Sequence, residues 1–226
     1  MTGVNPFVSD LIKQGVLKTP KIIEAFKKID RANFVSPESK EEAYINAPLS
    51  IGEGQTISQP LTVAFMIELL QPKAGDNIFE IGFGSGWQTA ILAEIVGKSG
   101  KIFAVERIPE LFRFGRKNIA KYNFIKKGIV KTIGGDATLG RKRHAPFDRI
   151  IAAASGEKIP VAWFEELKIG GRLVAPVKES IWLYIKKSNK KFEKKEYPGF
   201  VFVPLVNGWQ NFLHVINFYY PQTVPT

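Results

Sequence analysis

The chain has 226 residues, of which 45% are hydrophobic and 23% charged, the balance of an ordinary globular protein with enough chain for one α/β domain and a full core. It has no cysteine and only two histidines, which excludes a disulfide framework, a thiolate nucleophile and a thiolate metal site, so no metal is expected. Its net charge of +11 leaves a polyanionic partner open on charge alone. No apolar run approaches the ~18 residues that cross a bilayer, and Met1 to Thr19 lacks the uninterrupted apolar stretch of a secretory signal. A cytoplasmic protein without a membrane partner is expected.

Taken in order, Asn5 to Gly15 carries Phe7, Val8, Leu11 and Ile12 at helical spacing. Thr19-Pro20 is a helix start, a capping hydroxyl followed by proline in the first turn. Ile22, Ile23, Phe26 and Ile29 form one apolar face behind it. The sequence IDRANF then leads into an extended polar segment, so the chain opens with a helical addition rather than with sheet. Tyr44 to Pro60 reads YINAPLSIGEGQTISQP. Gly52 and Gly54 mark a loop, and Pro60 opens a helix over Leu61 to Leu70. Ser58 stands just before that helix, where a plain N-cap accounts for a serine as readily as a chemical role does.

Asn77 to Val96, NIFEIGFGSGWQTAILAEIV, is the stretch around which the rest is arranged. A short apolar strand, Ile78 to Ile81, runs into Gly82, Gly84 and Gly86. Ala90, Ile91, Ala93 and Val96 then recur at helical spacing. Strand, glycine turn and helix open a nucleotide-binding βαβ unit. The last glycine is expected to let the helix pack near the sheet. The spacing is acid-x-G-x-G-x-G from Glu80. Read as G-x-G-x-x-G, it has Trp87 or Thr89 at the last glycine position, and no Walker lysine follows. Glu80, placed at the strand's end inside the prospective pocket, would repel a pyrophosphate and favour a cationic ligand. This pattern resembles motif I of the S-adenosylmethionine-dependent methyltransferases.

Lys101 to Val105 reads as a second strand, ended by Glu106 about 20 residues beyond the glycine loop, where an acid reaches a ribose hydroxyl pair. Pro109 to Tyr122 is a helix. Val130 to Ile133 is a third strand, ending in Gly134-Gly135-Asp136. Arg149 to Ala153 is a fourth strand, Pro160 to Leu167 a helix and Arg172 to Pro176 a fifth strand. Ile181 to Lys186 and Phe200 to Leu205 are read as two late strands without a helix between them, hence an antiparallel edge. The fold class is therefore α/β: a Rossmann-like, seven-stranded, mostly parallel methyltransferase sheet with helices on both faces and an N-terminal helical addition. Basic residues gather at Lys126-Lys127, Arg141-Lys142-Arg143 and Lys186 to Lys195. The last run reads as an exposed link between strands, and a solvated surface is preferred to a nucleic-acid patch. The tail, Val206 to Thr226, holds Trp209, Phe212, Phe218, Tyr219 and Tyr220 and is expected to pack on the domain.

The segment GEGQTISQP, followed by a helix and then by motif I, resembles the protein-L-isoaspartate O-methyltransferase family. GKIFAVERIPEL, Gly134-Gly135-Asp136, APFDRII, LKIGGRLVAPV and Phe202-Val203-Pro204-Leu205 extend the resemblance over roughly Ala25 to Leu205. It implies methyl transfer from S-adenosyl-L-methionine to the free carboxylate of L-isoaspartyl or D-aspartyl residues in damaged proteins and peptides, as repair. It implies an N-terminal segment and active-site loop over 1–60, a methyltransferase domain over 61–205 and a tail over 206–226. Ser58 becomes the catalytic residue, orienting the acceptor rather than attacking. Ser58, Gln59, Glu80, Gly82, Gly84, Ser85, Gly86, Glu106, Arg107, Asp136 and Ala137 become cofactor-binding, with Glu106 on the ribose and Asp136 on the adenine amino group. Ile57, Ala153, Ala154 and Ser155 become substrate-binding. A monomer is expected.

The chain departs from the family pattern at Asn46, commonly aspartate, at Phe83, usually a small hydroxyl residue, and at Ala137, usually glycine. Ala153-Ala154-Ser155-Gly156-Glu157 replaces Thr-Ala-Ala-Ala-Pro, and Glu157 is expected to face an anionic substrate and repel it. These departures leave two alternatives open. One is another substrate on the same scaffold, a specialised peptide carboxylate or an RNA base. The other is a cofactor-binding protein that has lost isoaspartyl activity.

Overall fold

A computed structural model describes residues 6–206. The aromatic tail and the extreme N-terminus lie outside the described residues. The first helix is α1, Pro6–Lys13. It is followed by α2, Pro20–Lys28, with Pro20 in its first turn. Thr19 occupies the N-cap position but its side chain makes no cap bond. Its hydroxyl donates instead to Glu68 at 2.7 Å, so the expected cap is replaced by a tie to the next helix. Short 3-10 turns at Arg31–Phe34 and Pro37–Ser39 complete the helical prelude.

The segment read as a loop around Gly52 and Gly54 is a small antiparallel hairpin, β1 (Leu49–Gly52) with β2 (Gln55–Ile57). Glu53 and Gly54 supply the positive φ angles of its two-residue turn, and Leu49 and Ile51 pack on the core from its inner face. The helix α3, Pro60–Leu70, follows directly.

The main sheet has seven strands: β3 (Asn77–Ile81), β4 (Lys101–Glu106), β5 (Val130–Gly134), β6 (Phe147–Ala152), β7 (Leu167–Val177), β8 (Ser180–Lys186) and β9 (Phe192–Pro198). Their order is β5-β4-β3-β6-β7-β8-β9. The first five run parallel, β8 is antiparallel to β7, and β9 is antiparallel to β8. Helices α4 (Trp87–Val96), α5 (Pro109–Ala120) and α6 (Val161–Glu166) connect them. Both faces of the central strands are covered, which is why β3 reads as continuous apolar sequence and not as an alternation. The strand order reverses between β3 and β6, so the carboxyl ends of β3, β4 and β6 frame a crevice.

The last strand differs from expectation. The lysine-rich run FEKKEYP is itself β9, paired with β8 along its length. Its charges are compatible with an edge strand, where lysine discourages further pairing. Their stems lie over aromatic rings: Lys194 Nζ is 5.7 Å from the Trp182 ring centre and Lys195 Nζ 5.0 Å from that of Tyr197. Phe200 to Leu205, the expected strand, instead leaves the sheet at Gly199, which has φ of +90°. It crosses to Ser155, whose N–H donates to the Val203 carbonyl at 2.8 Å and whose carbonyl accepts from Leu205 N–H at 2.7 Å.

The helical prelude is continuous with the core. Trp87, at the start of α4, is met edge-on by Phe7 and Phe26 at 5.9 and 5.7 Å between ring centres. Truncating a buried aromatic of this kind costs about 3–5 kcal/mol, so the N-terminal helices and the glycine loop stand or fall together. No helix among the described residues is long and apolar enough to cross a membrane.

Candidate active site

A cleft of about 890 Å³ opens at the carboxyl ends of β3 to β6. The hairpin, Ser58 and Gln59 form one wall, and Gly82, Gly84 and Ser85 the floor. Glu106 to Leu111 and Gly135 to Ala137 form the far side, and Ala153, Ala154 and Val201 to Val206 close it. The structure thus brings together Ile57, Ser58, Gln59, Gly82, Gly84, Ser85, Glu106, Arg107, Asp136, Ala137, Ala153 and Ala154. Glu80, Gly86 and Ser155 do not line the cleft.

Glu80 lies beneath the loop, with no exposure to solvent. One carboxyl oxygen accepts from Gln88 Nε2 at 3.1 Å. The other makes no well-formed hydrogen bond among the described residues, though the Thr89 hydroxyl stands near enough to favour the ionised form. Burial, opposed by Thr89 and Gln88 and reinforced by the charge of Glu106, pushes its pKa up to about 7. It therefore acts on the cleft from below, through Gln88, which does line it. Gly86 serves packing. A Cβ there would sit 2.7 Å from Ile119 Cγ1 and 2.9 Å from the Gly115 carbonyl, so this glycine lets the loop approach α5, not the sheet.

Glu106 is nearly buried at the end of β4. Its Oε2 accepts from Gly84 N–H at 3.0 Å, and its Oε1 from Arg107 and Ile108 N–H at 2.8 and 2.9 Å. Burial raises its pKa while these three donors pull it down. The carboxylate is thus fixed to both the glycine loop and the β4 turn. Ser85 Oγ accepts from Trp87 N–H, at the first residue of α4, at 3.3 Å. Asp136 accepts from the N–H and hydroxyl of Thr138 at 2.8 and 2.7 Å. The main chain there is held from behind: Arg141 Nη1 donates to the Asp136 carbonyl at 3.0 Å and Trp163 Nε1 to that of Ala137 at 2.9 Å. Neither Arg141 nor Trp163 carries a motif that could have announced this role.

Ser58 is not the cap of α3. The N-cap position is Gln59, and the first-turn N–H of Leu61 is met at 3.0 Å by Asn46 Oδ1. The Ser58 side chain is thereby left to the cleft. Its carbonyl accepts from Arg31 Nη2 at 3.2 Å.

The departures also resolve. The Phe83 ring packs near Phe112, at 5.8 Å between ring centres, and over Gly115, where a Cβ would lie 2.7 Å from it. The larger residue is accommodated by the absence of a side chain on α5. Ser155 is a structural splice: besides its two backbone bonds to the Val203–Leu205 segment, its hydroxyl donates to the Lys178 carbonyl at 2.8 Å. Glu157 does not face the cleft. Its side chain is 88% exposed and lies 3.8 Å from Lys178 Nζ, because Gly156 bridges to Val177 and turns the following residue outward.

Around the cleft stand the carboxylates of Glu53, Glu106, Glu110 and Asp136, with Arg107 the basic lining residue among those described. Such a lining suits a ligand carrying positive charge and disfavours a polyphosphate. Among the described residues, no group of three or more His, Cys, Asp or Glu could hold a metal ion.

A family model described as protein-L-isoaspartate(D-aspartate) O-methyltransferase matches residues 2–210. The chain is 42% identical over 208 residues to a protein-L-isoaspartate O-methyltransferase of Methanococcus aeolicus, covering 90% of this chain and 95% of that one. It is 40% identical over 210 residues to that of Thermococcus onnurineus, covering 90% and 94%. A solved protein-L-isoaspartate O-methyltransferase superposes with a TM-score of 0.81 at 25% identity, over 94% of this chain and 68% of the other. A Plasmodium falciparum structure described as a beta-aspartate methyltransferase in complex with S-adenosyl-L-homocysteine shares the fold, with a TM-score of 0.80 at 23% identity over 91% and 99%.

Proposed function

The chain belongs to the protein-L-isoaspartate(D-aspartate) O-methyltransferase family and is an S-adenosylmethionine-dependent enzyme that methylates the free carboxylate of isoaspartyl residues in damaged proteins; we propose that Ser58 is its catalytic residue and the cleft its cofactor and acceptor site. The observation that supports this assignment is that Ser58, the glycine loop, Glu106 and Asp136 line one cleft whose charges favour a cation.

S-adenosylmethionine supplies a methyl group already electrophilic on its sulfonium, so the protein's task is to hold donor and acceptor in line. Gly82 and Gly84 keep side chains out of the floor. Glu106, immobilised by three backbone donors, would accept from the ribose hydroxyls, with Arg107 beside it in the lining. Asp136 would take the adenine amino group, with Ala137 as the adjoining wall. Ser85 completes the floor and Gln59 the wall beside it. Ser58 donates its hydroxyl to the acceptor carboxylate, which is ionised at neutral pH and needs no strong base. Ile57, Ala153 and Ala154 bound the acceptor side, and Ser155 holds the Val203–Leu205 segment across it. Residues 61–205 act as the methyltransferase domain and 1–60 supply the acceptor-side wall. The enzyme works as a cytoplasmic monomer on proteins and peptides and not on nucleic acid.

The decisive experiment is methyl transfer to an isoaspartyl peptide beside its aspartyl twin, in the parent and in Ser58→Ala. Methylation of the isoaspartyl peptide alone, lost on the order of a hundredfold in turnover in Ser58→Ala with S-adenosylhomocysteine affinity retained, is the expected result. Parental turnover in Ser58→Ala would remove the serine from the chemistry.

A further inference from the structure

Arg31 is among the largest side chains that are wholly buried. No carboxylate pairs with it within ion-pair distance among the described residues. It is spent on carbonyl groups. Nη1 donates to Ala43 at 2.8 Å and Ile45 at 3.2 Å, and Nη2 to Ala47 at 2.9 Å and Ser58 at 3.2 Å. The guanidinium carbon lies 5.4 Å from the centre of the Trp87 ring, the residue that opens α4 behind the glycine loop. Burying an unpaired cation is expensive, and burial alone lowers its pKa to about 10. A charge kept at such cost must gain from what it arranges.

What it arranges is a loop and a serine. Residues 43–47 have no strand or helix of their own, and three of their carbonyls converge on one planar fork that also grips Ser58. The same loop reaches the other flank of Ser58 through Asn46, whose side chain caps α3 at Leu61. Ser58 is therefore held at its carbonyl by Arg31, while the helix beginning two residues later is held by Asn46.

We propose that Arg31 and Asn46 are positioning residues for methyl transfer: through the Ala43–Ala47 loop they set where the Ser58 hydroxyl stands relative to the glycine loop. The proposal rests on the assignment of Ser58 made above. A guanidinium is needed because its separate nitrogens meet four carbonyls at fixed angles, whereas an ammonium is a single point with three donors. An asparagine suffices at position 46 because one neutral oxygen satisfies one N–H.

The test is a double-mutant cycle read in single-turnover kinetics, with folded fraction checked by thermal melts and cofactor-site integrity by S-adenosylhomocysteine calorimetry. Arg31→Lys is expected to lower turnover on the order of ten- to a hundredfold, the effect of a misplacement near one ångström. S-adenosylhomocysteine affinity stays at the parental value. Asn46→Ala, on an exposed side chain that does not threaten folding, is expected to lower turnover by a smaller factor. In the Ser58→Ala background each substitution should cost little more, because residues acting as a unit are not additive. A purely structural role would lower the melting temperature and leave the losses multiplicative. Parental turnover in folded Arg31→Lys or in Asn46→Ala, or losses that multiply in full with Ser58→Ala, overturns the proposal. Should Arg31→Lys not fold, Asn46→Ala decides alone. Parental turnover in Ser58→Ala itself would overturn the assignment of the serine, and this inference with it.

Discussion

Replacing Glu80 by glutamine should make the enzyme more stable at alkaline pH, and by an amount the structure sets. The carboxyl is fully buried, and burial carries its pKa from the usual 4.5 to about 7. The folded protein therefore keeps a proton on Glu80 between these values while the unfolded chain releases it. Where the native state binds more protons, stability falls as pH rises. The fall begins near 4.5 and is complete somewhat above 7. One pKa unit corresponds to about 1.4 kcal/mol, so the full interval is worth roughly 3 kcal/mol. Glu80→Gln removes the titration and keeps the shape. Its amide oxygen can accept from Gln88 as Oε1 does now, and its NH₂ can donate to the nearby Thr89 hydroxyl. Urea unfolding of parent and variant without added cofactor, at half-unit steps from pH 5 to 8, isolates the difference from all other carboxylates. The two curves should meet near the acid end and diverge to as much as roughly 3 kcal/mol in the variant's favour at pH 8. Parallel curves, or a variant less stable at pH 8, would show that Glu80 is ionised in the folded protein and that its orphaned oxygen has a donor.

Glu106→Gln keeps the side chain's size but must turn an NH₂ toward either Gly84 N–H or the Arg107 and Ile108 pair; losing a charged acceptor should weaken S-adenosylhomocysteine binding by roughly 1–3 kcal/mol in calorimetry. Gly115→Ala would press a Cβ into the Gly84 carbonyl and the Phe83 ring; thermal melts should show a loss of about 1–3 kcal/mol and calorimetry a weaker cofactor site. Changing Lys190, Lys191, Lys194 and Lys195 together to glutamine removes the cation–π contacts to Trp182 and Tyr197, each worth about 0.5–1 kcal/mol when exposed. Steady-state methylation of an isoaspartyl peptide should be unchanged, whereas salt-sensitive RNA binding that falls with activity in this variant would contradict a protein substrate.

The sheet was legible because each buried strand is a short apolar run closed by glycine, proline or an acid. Ile78 to Ile81, Lys101 to Val105 and Arg149 to Ala153 all correspond to strands within a residue or two. The edge was not. In β9 the lysines are exposed and no apolar alternation marks the strand, so a charge count hides what its register with β8 makes plain. Phe200 to Leu205 misled in the opposite sense: its apolar side chains serve the cleft wall and the core, not a ladder. Within the cleft, Gly82, Gly84, Glu106 and Asp136 fall where their spacing puts them, whereas Glu80 and Gly86, placed there by the same spacing, lie behind the lining. Arg31, Asn46, Arg141 and Trp163 could not be placed from sequence, since they act through backbone carbonyls or an N–H distant in sequence, and nothing local marks a side chain whose partner is someone else's backbone.

On the proposed assignment of Ser58, the charge pattern gives a reason for a neutral hydroxyl at the acceptor. The chain as a whole carries +11, which draws anionic protein surfaces toward it at long range. The cleft reverses that sign with Glu53, Glu106, Glu110 and Asp136. A carboxylate entering alone would be repelled there, so if the cleft takes both ligands as proposed, the acid lining would make acceptor binding depend on a cationic cofactor. A lysine in place of Ser58 would relieve the repulsion but would grip the ionised acceptor most tightly before reaction. The acceptor's charge is lost as the ester forms, so such a contact would stabilise the ground state and raise the barrier. A serine hydroxyl orients with far less of that penalty. Its usefulness then depends on being held in place, and the bonds that could hold it are those of Arg31 to its carbonyl and Asn46 to the helix behind it. Glu157, turned outward beside Lys178, adds nothing to the repulsion inside, so the loop departure at Ala153 to Glu157 leaves the electrostatics of the acceptor side as the cleft residues set them.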